Sequence, residues 1–164
     1  PDEIPNPKIL KNFKLQNKYG IFLQDCFCYK INIFNKYESP WEGTRVCKKK
    51  NLKSIDFMRQ KVKSKNLKYS FFRFDKEKNI QLINNGGWHF SFLKDPESIK
   101  KKIISYSHQE FNKEEFTNIK SIKNKIKLGM DLFERKIDYK IVNIDETFPD
   151  YIVNNKKMFK DWIL

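Results

Sequence analysis

Two short segments concentrate the residue types that could carry chemistry. The first, NNGGWHFSFL at positions 84–93, places Gly86, Gly87, Trp88 and His89 together in a chain with only five Gly, three Trp and two His. Glycine lets a backbone approach a ligand closely, tryptophan offers a flat face for stacking, and histidine can act as acid, base or ligand. The segment is equally typical of a turn that enters a strand with Trp88 in the core.

The second segment, ESPWEGT at positions 38–44, has the same character, with Trp41 and Glu42 beside a glycine in a loop. It favours a loop that stacks on a sugar, and the alternative is that Trp41 plugs the core beneath that loop. His108 and Glu110 stand in SYSHQEF between two predicted helices, where such residues are usually solvated or cap a helix.

The opening dipeptide, Asp2 and Glu3, sets two carboxylates beside prolines that hold them in a turn. Enzymes of the α/β class use carboxylates on loops after strands to hold hard cations against phosphates. A two-residue acidic pair is common, so by itself it is only weak support for a metal site.

The charge balance is strongly basic, with a net charge of +14 and 34 Lys and Arg residues. Such a balance raises nucleic acid or an anionic membrane surface as a partner. Only Arg45, Arg59, Arg73 and Arg135 are arginines, and lysine lacks the planar fork that grips phosphates and guanine edges. Nucleic-acid binding is therefore not the favoured function.

The three cysteines do not predict a metal knuckle or a redox pair, because a single residue separates Cys26 from Cys28. We interpret them as reduced and structural. No apolar run approaches the roughly 20 residues of a membrane span, and no signal peptide opens the chain. The sequence thus predicts a cytoplasmic protein.

The pattern of apolar and turn-forming residues predicts an α/β fold, a mixed sheet with flanking helices, in a single domain over residues 1–164. Strands are predicted at 26–34, 44–50, 70–74, 80–83, 86–93 and 139–144. Helices are predicted to begin after the caps Asn6, Ser54 and Asp95, the last running to about Tyr106. A longer helix is predicted from Asn112 to near Gly129, and the tail at 148–164 is predicted to contain a helix followed by a terminal apolar stretch.

Five segments, in this order along the chain, resemble glycosyltransferase family 17: DEIPNP at 2–7, WEGT at 41–44, RQK at 59–61, GGWHFSF at 86–92 and SHQEF at 107–111. This is the family of the β-1,4-mannosyl-glycoprotein β-1,4-N-acetylglucosaminyltransferases and their microbial and viral relatives. The resemblance spans positions 2 to about 129 and extends more weakly through FPDYIVNN at 148–155.

The resemblance implies a fold like the C-terminal part of a GT-A type glycosyltransferase. It also implies an inverting transfer of N-acetylglucosamine, or a related sugar, from a UDP-sugar donor to a glycan acceptor, as in protein N-linked glycosylation. Asp2 matches the second Asp of the family's Asp-x-Asp-Glu-Ile-Pro, so it would bind Mn²⁺ or Mg²⁺ against the donor diphosphate. His108 would supply a further metal ligand. A microbial or viral origin is expected.

The resemblance also implies roles for the other candidates. The proposed substrate-binding residues are Trp41, Arg59, Gly86, Gly87 and Trp88, with the glycines bringing backbone against a sugar and Trp88 stacking on it. A general base must remove the proton of the acceptor hydroxyl. The candidates for that base are His89, Glu110 and Glu42.

The chain departs from the family pattern at its beginning, where the first Asp of the motif and the nucleotide-binding strands would precede Pro1. We therefore expect an incomplete domain that does not catalyse transfer by itself. Two alternatives stay open: an inactive remnant of a transferase, and a basic module that binds nucleic acid through its lysines. In the second case Phe71, Phe72 and Phe74 would stack on bases, and binding would weaken steeply with salt.

Overall fold

The chain folds as a mixed α/β protein, which confirms the predicted fold class. This computed structural model describes residues 2–105, 113–135, 137 and 139–164. The chain divides into two compact units, the first made of Pro1–Asp25 and Pro40–His89, and the second of Cys26–Ser39 and Phe90–Leu164.

Seven strands lie in the described part of the chain: β1 Glu3–Pro5, β2 Tyr19–Cys28, β3 Ile33–Asn35, β4 Trp41–Cys47, β5 Ile80–Ile83, β6 Gly87–Ser91 and β7 Tyr139–Ile141. The α-helices of the same ranges are α1 Pro7–Leu10, α2 Ile55–Gln60, α3 Pro96–Ile104, α4 Glu114–Thr117, α5 Ile119–Lys127 and α6 Asp150–Asn154. Short 3₁₀ turns cover Lys49–Asn51, Ser64–Lys68 and Lys160–Trp162.

The first unit contains a mixed sheet centred on β2. Residues 19–22 of β2 pair in parallel with β5, and residues 19–24 pair antiparallel with β4 across an irregularity between Ile21 and Leu23. Strand β1 pairs antiparallel with β6, with Glu3 opposite His89. The side chains of β2 are almost continuously buried rather than alternating, which is the pattern of a strand covered on both faces of its sheet.

Helix α2 closes the core of the first unit. Ser54 caps it by accepting a hydrogen bond from the amide of Phe57 at 2.9 Å, as predicted. Met58, from α2, packs with Tyr19, Ile21 and Ile80 in a cluster of buried side chains.

In the second unit, β3 pairs antiparallel with the end of β2, where Phe27 is opposite Phe34, and with β7. Helices α3 and α5 contact each other and each buries two isoleucines one helical turn apart: Ile99 and Ile103, and Ile122 and Ile126. This i, i+4 spacing places each pair on one face of its helix, which explains the contact.

Three predicted elements are wrong. The strand predicted at 26–34 is broken at Tyr29, whose φ of 67° reverses the chain before β3. Residues 70–74 form hydrogen-bonded turns, with the amide of Arg73 donating to the carbonyl of Ser70 at 3.0 Å, and not a strand. The start of the helix predicted from Asn112 lies outside the described residues. The described remainder forms two helices, because Asn118 ends α4 and caps α5.

Candidate functional site

The candidate functional site lies in the first unit, where the pairing of β1 with β6 sets Glu3 opposite His89. Trp41, the first residue of β4, joins them. Its ring stacks on the imidazole of His89 with centroids 4.6 Å apart and an interplanar angle of 9°. Its indole Nε1–H donates to Oε1 of Glu3 at 3.1 Å. These residues are called the Glu3–Trp41–His89 cluster below.

The adjacent glycines explain why β1 can lie so close to β6. Gly87 has a φ of +127°, and a Cβ there would lie 2.0 Å from the carbonyl oxygen of Ile4 and 2.7 Å from the amide nitrogen of Asn6. A Cβ on Gly86 would lie 2.7 Å from the backbone nitrogen of Leu23. The sequence predicted that these glycines bring the backbone close to a ligand, whereas in the structure the groups that approach them are β1 and β2 of the chain itself.

Asn6 fixes the end of β1 beside this turn. Its backbone amide donates to the carbonyl of Gly86 at 2.9 Å, and its side-chain Nδ2 donates to the carbonyl of Asn85 at 3.2 Å. The side-chain oxygen of Asn6 also accepts from the amide of Lys8 and caps α1. One residue thus ties the opening segment to the turn that precedes His89.

His89 is buried, with 6% of its surface exposed. Its Nδ1 has no hydrogen-bond partner among the described residues. A buried polar atom without a partner costs about 1–3 kcal/mol. Such atoms are rare in folded proteins, and a catalytic role is one of the explanations for them.

Glu42 lies next to Trp41 in β4, so both residues are in a strand and not in the predicted loop. The carboxylate of Glu42 is already held. It accepts hydrogen bonds from the backbone amide of Ser64, at 3.1 Å, and from the Ser64 hydroxyl, and it pairs with Arg45 at 3.4 Å. Arg45 also donates to the carbonyls of Glu42 and Gly43, each at 2.9 Å. These contacts hold the Glu42 carboxylate in place, so they give it a positioning role.

The remaining candidates are dispersed. Trp88 is buried, with 7% exposed, which agrees with the alternative prediction that it lies in the core. Little of its ring surface is left to stack on a sugar. Asp2 is exposed directly before β1, and Arg59 is exposed on α2. His108 and Glu110 lie outside the described residues.

Sequence reasoning missed the part played by Glu3, which was only one half of a common acidic pair. The pair was expected in a turn, whereas Glu3 is the first residue of β1. Its importance comes from the hydrogen bond to Trp41 and from the register with His89. Both contacts join residues far apart in the chain, and no local pattern signals them. The only indication in the sequence was that DEIP is one of the segments that resemble the family.

A separate group of potential metal ligands lies in the second unit, made of Cys26, Cys28 and Glu38. The cysteines are free thiols, as the sequence predicted. A hydrogen bond between the two thiols lowers the pKa of Cys28 and raises that of Cys26, and the Asn35 amide adds a further donor to Cys28.

The protein is a mixed α/β protein in which the indole of Trp41 donates to the carboxylate of Glu3 and stacks on the imidazole of His89. No protein-family model, no curated protein and no solved structure matches the chain. Among the described residues, no helix has the length and apolar character that crossing a bilayer requires. Function therefore has to follow from the residues and their geometry.

Proposed function

We propose that the chain belongs to a glycosyltransferase that transfers N-acetylglucosamine, or a related sugar, from a UDP-sugar to a glycan acceptor. The supporting observation is the Glu3–Trp41–His89 cluster. Each of its members comes from a different segment that resembles family 17, namely DEIP, WEGT and GGWH. Segments that resemble one family's motifs and also meet at one place are what a shared site requires.

His89 is the proposed general base, which accepts the proton of the acceptor hydroxyl. The face-to-face contact with Trp41 and the register with Glu3 fix the position of the imidazole. Its buried Nδ1, which has no partner in the described part of the chain, supports a role beyond packing. Of the other two candidates for the base, Glu42 is held by Ser64 and Arg45, and Glu110 lies outside the described residues.

Asp2 is the proposed contribution of this chain to a divalent cation. Mg²⁺ and Mn²⁺ prefer oxygen ligands, and Mg²⁺ is commonly held by one or two carboxylates together with substrate phosphates. The exposed carboxylate of Asp2 meets that requirement, whereas Glu3 already accepts from Trp41. The cation would stabilise the negative charge that develops on the departing diphosphate.

Donor binding tests this proposal. UDP-N-acetylglucosamine is titrated calorimetrically into the complete gene product with Mn²⁺ and again with EDTA. We expect binding only with Mn²⁺, weakened at least about tenfold by Asp2→Asn, because loss of a ligand costs no less than loss of its supporting shell. Asp56→Asn, an exposed carboxylate on α2, is the matched control and should bind as the wild type does.

Three results would count against the transferase proposal. They are an absence of binding by the wild type, binding that persists in EDTA, and equal binding by the wild type and Asp2→Asn.

A further inference from the structure

The cysteines at the end of β2 form a compact set of ligands with an acidic residue. Cys26 and Cys28 are two residues apart on a strand, so their side chains lie on the same face. The carboxylate of Glu38 comes from the turn after β3. The three ligand atoms lie within 4.8 Å of one another, and Cys26 and Cys28 are buried with 0% and 4% exposed.

The dimensions of this set suit a tetrahedral ion. Zinc–sulfur distances of about 2.3 Å and zinc–oxygen distances of about 2.0 Å give a tetrahedral sulfur–oxygen edge of about 3.5 Å. The separation of Cys26 Sγ from Glu38 Oε2 is 3.6 Å. Two thiols and one carboxylate also form a donor set for Zn²⁺ rather than for Mg²⁺ or Ca²⁺.

Asn35 forms hydrogen bonds with two of the three ligand residues. Its Nδ2 donates to the sulfur of Cys28 at 3.6 Å, and its Oδ1 accepts from the backbone amide of Glu38 at 3.1 Å. Asn35 itself is fully buried. Groups that orient ligands in this way are a regular feature of metal sites.

We propose that Cys26, Cys28 and Glu38 bind a zinc ion, with the fourth position open to water or another ligand. Binding displaces the two thiol protons and leaves the carboxylate as the third ligand. This site is independent of the cation proposed at Asp2, which lies in the other unit and offers a hard oxygen ligand.

Cobalt spectroscopy tests the zinc site. Co²⁺ is titrated into the reduced complete protein, and we expect a thiolate-to-cobalt charge-transfer band, together with the intense visible bands of a tetrahedral ion, that saturate at one ion per chain. Zn²⁺ should displace both. Cys28→Ser should abolish the charge-transfer band or weaken binding at least about tenfold, and Glu38→Gln should weaken binding by a similar factor while both thiols stay in place.

Cys47→Ser is the matched control, since Cys47 is a free cysteine outside the set. It should leave the cobalt spectrum unchanged, and circular dichroism verifies that each variant is folded. The zinc proposal is overturned if the wild type gives no charge-transfer band, or if Glu38→Gln binds cobalt as tightly as the wild type. A spectrum lost in Cys47→Ser, or a disulfide between Cys26 and Cys28 that persists under the reducing conditions, would overturn it as well.

A second, independent observation concerns the turn at residues 70–76 of the first unit, called the phenylalanine loop below. Phe71, Phe72 and Phe74 are 79%, 80% and 81% exposed. Their rings contact one another, with the centroid of Phe71 6.3 Å from that of Phe72 and 6.2 Å from that of Phe74. A contiguous exposed apolar patch of this kind marks an interaction surface.

A lysine-rich groove lies beside this patch. Phe74 also lines this groove of about 660 Å³. The groove is strongly basic, because only two carboxylates, those of Asp75 and Glu77, line it together with six lysines. These are Lys18, Lys53, Lys61, Lys63, Lys65 and Lys76. An apolar tip beside a lysine-rich surface is complementary to an anionic membrane, where rings enter the interface and lysines face the headgroups.

Two details favour a membrane over single-stranded nucleic acid. Nucleic-acid sites stack successive bases on ring faces, whereas these rings meet edge to face, at 76° and 74°, and form one apolar surface. The arginine of the loop, Arg73, is paired with Asp75 through contacts of 2.7 and 2.8 Å, so its fork is not free for phosphate. We infer that the phenylalanine loop docks the protein on an anionic lipid surface.

Vesicle sedimentation tests this docking. The complete protein is mixed with vesicles of phosphatidylcholine alone, or of phosphatidylcholine with phosphatidylserine. We expect binding at least about tenfold tighter to the anionic vesicles, and a loss of about tenfold or more when Phe71, Phe72 and Phe74 are all changed to Ser. A control variant changes three exposed apolar residues elsewhere to Ser: Tyr37, Leu128 and Met158.

The control variant should bind vesicles as the wild type does. Equal binding by the wild type and the triple phenylalanine variant overturns the docking proposal. So does a triple variant that loses affinity for a single-stranded oligonucleotide but not for vesicles, which would establish a nucleic-acid surface. A wild type that ignores vesicles and self-associates through these rings in gel filtration would also overturn it.

Discussion

Replacement of Gly87 by Ala should separate β1 from β6 and thereby disrupt the candidate site. A Cβ at this position would lie 2.0 Å from the carbonyl oxygen of Ile4 and 2.9 Å from the carbonyl carbon of Pro5. Both are backbone atoms of β1, so no side chain can rotate away to make room. The strand that carries Glu3 must therefore move.

The cost has two parts. A side chain at a φ of +127° introduces strain of about 1–3 kcal/mol. Forcing a methyl group into packed backbone costs about 1–3 kcal/mol more. Together they predict a loss of roughly 4 kcal/mol, which for a chain of this length lowers the melting temperature by roughly 10 °C.

Circular dichroism gives the melting temperature, and tryptophan fluorescence should change as well, because Trp41 loses its hydrogen bond to Glu3. Gly129→Ala is the matched control. Its φ is +63°, but a Cβ there would meet only the side chain of Ile141 at 3.8 Å, so only the backbone strain of about 1–2 kcal/mol applies. If Gly87→Ala melts no lower than Gly129→Ala, the close approach of β1 does not exist as described.

Three further changes have defined outcomes. Trp41→Phe keeps a ring over His89 but removes the indole donor to Glu3, so urea unfolding should show a loss of about 1 kcal/mol. Burial alone would raise the pKa of Asp131, but the guanidinium of Arg135 donates to it and holds that pKa below its usual value. Asp131 therefore stabilises the fold above about pH 4, and this stability is lost as the pH falls through the lowered pKa. Asp131→Asn should remove this part of the acid sensitivity, which thermal melts at a series of pH values measure. Asn118→Ala removes the cap of α5 and should cost about 1 kcal/mol in the same melts.

The helix starts could be predicted because capping is a local property. Asn6, Ser54 and Asp95 accept hydrogen bonds from amides two or three residues ahead, and each begins a helix at the predicted position. The same local logic explains one error. Asn118 is also a good cap, and it divides a stretch that the capping pattern of Asn112 and Glu115 and the stop near Gly129 indicated to be a single helix.

Strand prediction was less successful because it depended on residue type. The segment SFFRF has strong strand formers, but its backbone closes into turns, and the aromatic rings remain exposed instead of packing on a sheet. Tyr29 also interrupts a run of strand formers with a φ of 67°, a conformation that its residue type gives no reason to expect.

The candidate site could be predicted only in part. The sequence identified Trp41, His89 and the glycines as unusual, and it predicted that the glycines bring the backbone close to a ligand. It could not predict that Gly87 accommodates β1, or that Trp41 stacks on His89, because these are contacts between strands distant in sequence. Such contacts depend on strand register, which the tertiary fold sets.

The most direct measurement of the central claim is the turnover of His89→Gln. UDP release from UDP-N-acetylglucosamine is followed in the complete gene product with Mn²⁺ and a mannose-terminated glycan. Wild-type protein should turn over, and His89→Gln should lower kcat by about 10²-fold or more with little change in donor affinity, because a general base contributes about 10²–10⁴-fold. The proposed site would be contradicted if His89→Gln turns over as fast as the wild type, or if the wild type does not turn over at all.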